Sequence, residues 1–274
     1  MGWDRRLVIA FHFHAGRRHL GGGMVQVTMT ALEGVPLVRE GDDLAGLLIA
    51  ALERGGTGLE DRDVLVVAQK VVSKAEGRVV DLADVTPSEG AETLASETDK
   101  DPRQVELVLA ESEEVVRHKP GVIVVAHRLG HVMANAGIDR SNVEGGERVL
   151  LLPADPDASA AGLKARLGAH FGVGAGVIVA DSVGRAWRLG TVGLALGAAG
   201  LPALMDRRGA PDLFGRPLEA TLTGFADGIA AAATLLMGEG DEGRPAVLVR
   251  GLDWQGEALP AAALLRPKAE DMFR

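Results

Sequence analysis

Short β-branched runs alternate along this chain with longer stretches whose apolar residues recur at helical spacing. A chain patterned that way closes as α/β or mixed α+β, because each sheet face and each helix stripe must bury itself against another element. Strands are expected at 25–30, 64–72, 122–126, 148–152, 177–180 and 246–250, and helices at 44–54, 102–117, 158–171 and 225–237. The helix from 102 has the clearest limits. Asp101 can cap it, Pro102 suits its first turn, Gln104 can complete a capping box, and Lys119-Pro120-Gly121 stops it. In that helix Val105, Val108, Leu109, Val115 and Val116 face the core, while Glu111, Glu113 and Glu114 face water. No internal repeat or low-complexity linker marks a domain boundary.

With 274 residues, 47% of them hydrophobic and 24% charged, the chain suits one large or two modest globular domains with a full core. It has no cysteine, which excludes thiolate zinc sites and cysteine nucleophiles and fits a reducing cytoplasm, where the protein is expected. A net charge of -9 argues against a nucleic-acid surface, and 3% aromatics without a tyrosine against a base-stacking platform. No stretch approaches a membrane span. At the amino end Arg5 and Arg6 precede the apolar run from Leu7 to Phe11, but His12 and His14 interrupt it, so export is not expected. Residues 1–23 are expected to be a loose extension, with Met24 opening the ordinary sequence, and residues 253–274 a tail.

Four segments carry candidate chemistry. In the run 135–142, Gly137 permits a tight backbone path, Asp139 is a hard oxygen donor suited to Mg²⁺ or Mn²⁺, and Asn142 can donate and accept. Asp139 fits a turn or cap equally well. In 180–190, Asp181 falls at a strand's carboxyl end beside Ser182, with Arg185 and Arg188 close behind. A carboxylate, a hydroxyl and two forked cations flanked by glycine favour a phosphate–metal site over a surface turn. Lys70 and Lys74, beside Gln69, would share one side of the strand expected at 64–72, as phosphate partners or as solvated edge lysines. The run 237–243 is rich in glycine and acid. Glu239 can complete a metal shell there, although composition favours a solvated loop with Gly238 as helix cap. Asp157 reads as the cap of the following helix, and His127 and His131 as exposed polar residues of a hairpin. No Walker A motif and no GxGxxG between strand and helix is present, so a bound nucleotide would use another cradle.

Taken in order, EGVPLV at 33–38, VSKAEGR at 72–78, NAGIDRSNV at 135–143, LLPADPDASA at 151–160, ADSVGRAWRLG at 180–190, LLMGEGDEG at 235–243 and PAVLVRGL at 245–252 resemble the coenzyme F420-0:L-glutamate ligase family. The resemblance runs from about residue 25 to 252. It implies two α/β domains within 24–252 and an intertwined homodimer. It implies GTP contacts at Gly34, Val35, Pro36, Leu37, Gln69, Lys70, Lys74 and Asn142, with the loop from Met237 through Gly238 and Gly240 to Arg244 beside the nucleotide. It also implies two divalent ions, Mg²⁺ or Mn²⁺, with K⁺ a further candidate. Asp139 and Asp181 would hold one ion, and Ser182 and Glu239 would contact the second. The implied reaction phosphorylates the lactyl carboxylate of coenzyme F420-0 with GTP, and the amine of L-glutamate then displaces phosphate, with further γ-linked glutamates to follow. Arg185 and Arg188 would hold substrate phosphodiester, carboxylate or transferring phosphoryl group. Two positions depart from the family pattern: Val183 replaces a polar residue, and Gly228 stands where relatives carry Glu. The competing readings are another metal-dependent carboxylate–amine ligase or phosphoryl transferase, or a non-catalytic nucleotide-binding subunit.

Overall fold

The computed structural model describes residues 7–11 and 25–272. In chain order these form β1 (Leu7–Phe11), β2 (Val25–Ala31), α1 (Leu44–Arg54), β3 (Val64–Ala68), α2 (Gln69–Ala75), β4 (Val79–Asp81), α3 (Glu89–Thr98) and α4 (Pro102–Ala110). The middle contributes β5 (Ser112–Lys119), β6 (Val122–His127), β7 (Val132–Ala134), β8 (Arg148–Leu150) and α5 (Pro156–Phe171). The last third contributes β9 (Gly176–Arg185), β10 (Arg188–Ala199), β11 (Leu204–Asp206), β12 (Leu222–Gly224), α6 (Phe225–Met237) and β13 (Ala246–Arg250).

The expected mix of helix and strand is present, built around one sheet of order β1-β2-β13-β3-β9-β10. Its centre is apolar on both faces. Leu65 and Val67 of β3 point into a cluster with α1 and α5, while Val64 and Val66 point into another with α6. β9 repeats the pattern, with Val177 and Val179 on the α1/α5 side and Ile178 on the α6 side. β3 and β9 run parallel, whereas β13 is antiparallel to both of its neighbours. Two glycines let the helices close on β10: a Cβ on Gly193 would strike the Ala230 carbonyl of α6, and one on Gly197 the Pro156 carbonyl of α5. A bulge between Ala195 and Gly197 turns these two positions toward opposite faces.

A second core forms between α2 and α5. There α3, α4, the β5-β6-β7 sheet and the β4-β8 ribbon enclose Leu82, Val105, Val108, Ile123, Val125 and Val149. The carboxyl-terminal stretch returns to the α6 face of the main sheet, where Trp254 packs near Phe225 and Leu264 joins the cluster. Leu7–Phe11, inside the expected loose extension, pair antiparallel with β2; the rest of that expectation, 1–6 and 12–23, lies outside the described residues. No described helix is long and apolar enough to cross a membrane.

Several expectations need correction. The strand expected at 64–72 ends at Ala68, and Gln69–Ala75 are helical, so Lys70 and Lys74 share a helix face at i,i+4. The helix from Pro102 stops at Ala110, and Val115 and Val116 belong to β5, which turns into β6 at Pro120-Gly121. Asp101 does cap α4, accepting from the Arg103 amide. Glu111 does not face water but is buried where helix gives way to strand. His127 and His131 are buried as well. The cap of α5 is Asp155; Asp157 instead accepts from the amides of Ala198, Ala261 and Ala262, tying α5 to β10 and the returning chain.

Candidate active site

The pairing of β3 with β9 ends at Ala68 and Ala180, and beyond this edge the two chains part. β3 turns directly into α2, while β9 continues as a hairpin with β10. Carboxyl ends of parallel strands that diverge in this way leave a crevice. A cleft of about 540 Å³ opens there, within the size range of cofactor sites.

Four stretches of the main body and one of the second core line it. Val35, Pro36 and Leu37 form one wall, and Gln69, Lys70 and Lys74 project from α2. Asp181 and Ser182 come from β9, while Met237, Gly238, Glu239 and Gly240 come from the loop after α6. Asn142, Val143 and Glu144 close it from the second core. Most of the expected ligand contacts therefore meet in one place. Gly34 is just outside the lining, its carbonyl accepting from Arg54 Nη2 at 2.7 Å. Arg185 and Arg188 also lie outside, paired and exposed at the tip of the β9–β10 hairpin beside the exposed Trp187. Thr234 and Glu144 line the cleft without having been expected. A threonine inside an apolar helix and a lone acid in a glycine-rich loop give no sequence signal.

Hydrogen bonds hold these groups in place. Asp139 lies behind the wall, ion-paired with Lys70 Nζ, and its two oxygens accept from the Ser141 amide at 2.8 Å and the Ser141 hydroxyl at 2.6 Å. Lys74 Nζ donates to the Asn142 carbonyl at 2.6 Å, and Asn142 Nδ2 donates to the Gly240 carbonyl at 3.3 Å. The Ser182 hydroxyl donates to Glu239 Oε2 at 2.8 Å. Gln69 Oε1 accepts from Ser73, but its buried Nε2 has no partner among the described residues. An orphaned buried donor at a cleft wall is costly unless a ligand accepts from it.

The two aspartates are shifted in opposite directions. Burial works against the Asp139 carboxylate, but hydrogen bonds from Lys70 and Ser141 outweigh it and hold its pKa below the usual value. Asp181 is pushed up to about 6, first by burial and further by the neighbouring Asp139 and Glu239 carboxylates, against the pull of Lys70. The Lys74 ammonium is disfavoured by burial and then by Lys70, so its pKa falls. Among the described residues no three His, Cys, Asp or Glu side chains already converge as a ligand set. The donors nevertheless fit a hard cation: they are oxygens, and a bound divalent ion would offset both the burial and the carboxylate repulsion that raise Asp181.

A family model described as F420-0:Gamma-glutamyl ligase matches residues 34–251. The chain is 48% identical over 250 residues to the coenzyme F420:L-glutamate ligase of Methanopyrus kandleri, covering 89% of this chain and 97% of that protein. It is 46% identical over 253 residues to the protein of the same name from Methanothermobacter thermautotrophicus, covering 90% and 99%. With that of Archaeoglobus fulgidus the identity is 46% over 250 residues, covering 91% and 97%.

Proposed function

The chain belongs to the F420-0:Gamma-glutamyl ligase family, and from that premise we propose that it is a GTP-dependent ligase joining L-glutamate to coenzyme F420-0. The observation that carries the proposal is the cleft in which two α2 lysines, Asp181, Ser182, Glu239 and the glycine-rich loop after α6 converge.

A carboxylate resists attack by an amine because its leaving group is poor. Transfer of the γ-phosphoryl group of GTP to the lactyl carboxylate of the acceptor gives an acyl phosphate and GDP. Attack by the glutamate amine then forms the amide, expelling phosphate and releasing one proton. Further glutamates would join by γ-linkage in the same way. Lys70 and Lys74, one helical turn apart, bring cationic groups to the nucleotide phosphates. The Gln69 Nε2 donor gains an acceptor when the cleft fills. Val35, Leu37 and Met237 give the nucleotide apolar walls, while Asn142 holds the Gly240 side of the loop. Two divalent ions, Mg²⁺ or Mn²⁺, with K⁺ a further candidate, would be held by Asp139, Asp181, Ser182 and Glu239 and would supply charge that neutralises the β- and γ-phosphates. Arg185 and Arg188, exposed at the hairpin tip, would meet the anionic parts of a large acceptor outside the cleft. The two cores are read as two α/β domains, and the working assembly as a homodimer, which light scattering at micromolar concentration tests directly.

The decisive assay incubates the protein with GTP, Mn²⁺, L-glutamate and coenzyme F420-0 and follows GDP release and product mass. One glutamate increment per GDP is expected. GDP without that increment would assign another acceptor, and no GDP at all would leave a nucleotide-binding subunit. Replacing GTP by ATP in the same assay measures nucleotide preference.

A further inference from the structure

A second cavity, of about 200 Å³, lies beside the first. Its walls are His131 and Met133 from the β6–β7 hairpin, Val183 and Leu194 from β9 and β10, and Leu265 and Arg266 from the returning carboxyl-terminal stretch. Leu194 is the cross-strand partner of Asp181, and Val183 follows Asp181 by two residues, so all three side chains share one face of the hairpin. Asp181 thus stands between the nucleotide cleft and this cavity.

Size and lining select the ligand. Two hundred cubic ångströms is below the roughly 300 Å³ at which nucleotide- and drug-sized pockets begin, which leaves a ligand the size of an amino acid. Met133, Val183, Leu194 and Leu265 offer apolar wall for a short methylene chain. At the mouth, Arg266 is paired with no carboxylate among the described residues, and its guanidinium matches carboxylate oxygens. His131 is buried, and its ring makes no hydrogen bond within the described residues, so a polar ligand group can satisfy it.

We propose that this cavity is the amino-acid subsite, taking an L-α-amino dicarboxylate with a carboxylate on Arg266 and its amine toward Asp181. The assignment rests on the ligase reading above. It explains how the nucleophile reaches the activated carboxyl group without crossing the nucleotide, and why an apolar residue at position 183 is tolerated there.

The test compares wild type with Arg266→Ala, Arg266→Lys and Leu194→Phe in steady-state turnover, varying L-glutamate and GTP separately. Arg266→Ala should raise the KM for L-glutamate at least about tenfold while the KM for GTP stays within about twofold, with partial recovery in Arg266→Lys. Leu194→Phe fills the cavity and should raise the same KM, with a GTP-induced thermal shift confirming that the variant is folded. Wild type that takes glutamate while Arg266→Ala and Leu194→Phe leave its KM unchanged overturns this assignment alone. Wild type that binds GTP yet never consumes glutamate overturns the ligase reading as well.

Discussion

Asp139 and Asp181 carry the same side chain into opposite surroundings, and their difference makes a measurable prediction. The Asp181 carboxyl sits near 6 in the folded protein against 3.8 for an unperturbed one. Between those values the folded chain keeps a proton that the unfolded chain has lost, so metal-free stability falls as pH rises through roughly 4 to 6. Asp181→Asn removes that penalty. Calorimetry in chelator at pH 7.5 should show the variant more stable by about 1 kcal/mol, a few degrees in Tm, with the gain vanishing near pH 4. The same variant should lose Mn²⁺ binding by electron paramagnetic resonance, and wild-type affinity should weaken below pH 6 as the proton competes. A variant no more stable than wild type, or one still binding Mn²⁺, would sink the assignment. A second residue-scale prediction concerns Gly137, at φ +68° with its missing Cβ 2.9 Å from the Leu152 side chain. Asn135 and buried Ala136 before it already hold positive φ, so the approach to Asp139 is a strained turn. Gly137→Ala adds both a strained φ and a clash, and urea unfolding should report a loss of about 2 kcal/mol. Residue type made Asp139, Asp181, Ser182 and Glu239 legible in the sequence as oxygen donors. Their unequal protonation was hidden, because it depends on Lys70, which the continuous valine run had placed on a strand.

That run explains the larger misreading among the elements. Val64 to Val67 and Val71-Val72 look like one apolar strand, and α2 begins at Gln69 with no side-chain cap to announce it. The overlong helix at α4 has a similar cause, because Val115 and Val116 fall by chance at helical distance from Val108, while Val115 pairs with Val125 of β6 and Val116 sits at a bulge. α1, α6 and β13 were found at their true limits, with Asp43 capping α1 and Gly238 ending α6. Glu111 marks the point where α4 hands over to β5. Its Oε2 accepts from Arg78 Nη2 at 2.9 Å and Arg128 Nε at 3.1 Å, with His127 Nε2 at 3.5 Å. Burial alone would raise its pKa, but these donors reverse that and hold it near 2. The stabilisation is complete above the ordinary glutamate range and disappears as pH falls from about 4.5 toward 2. Glu111→Gln removes the charge but keeps the shape, leaving two arginines without their carboxylate. Chemical denaturation at pH 7 should show a loss of about 2–3 kcal/mol, and the difference from wild type should shrink steadily below pH 4. A loss that does not depend on pH would mean that packing, not charge, holds this junction.

At the scale of the whole molecule, the cleft is the place where both cores supply lining residues. Most of its lining belongs to the main body, but Asn142, Val143 and Glu144 reach in from the second core. Among the described residues, Lys70 bonds to Asp139, Lys74 to the Asn142 carbonyl and the Asn142 amide to the Gly240 carbonyl across this boundary. A ligand that touches both sides therefore adds to these connections. By mass action, GTP with Mn²⁺ at one hundred times its dissociation constant should stabilise the fold by about 2.7 kcal/mol, roughly 5–10 °C in Tm. Asn142 holds a left-handed φ of 57°, so Asn142→Gly deletes the amide without adding backbone strain, whereas alanine would confuse the two effects. In Asn142→Gly the melting temperature without ligand should change by no more than a degree or two, since the lost bond is exposed and long. At fixed GTP and Mn²⁺ the thermal shift should shrink by at least half, because the contact that links the glycine-rich loop to the second core is gone. An undiminished shift would mean that the nucleotide is held by the main body alone, and that the second core serves the acceptor rather than GTP.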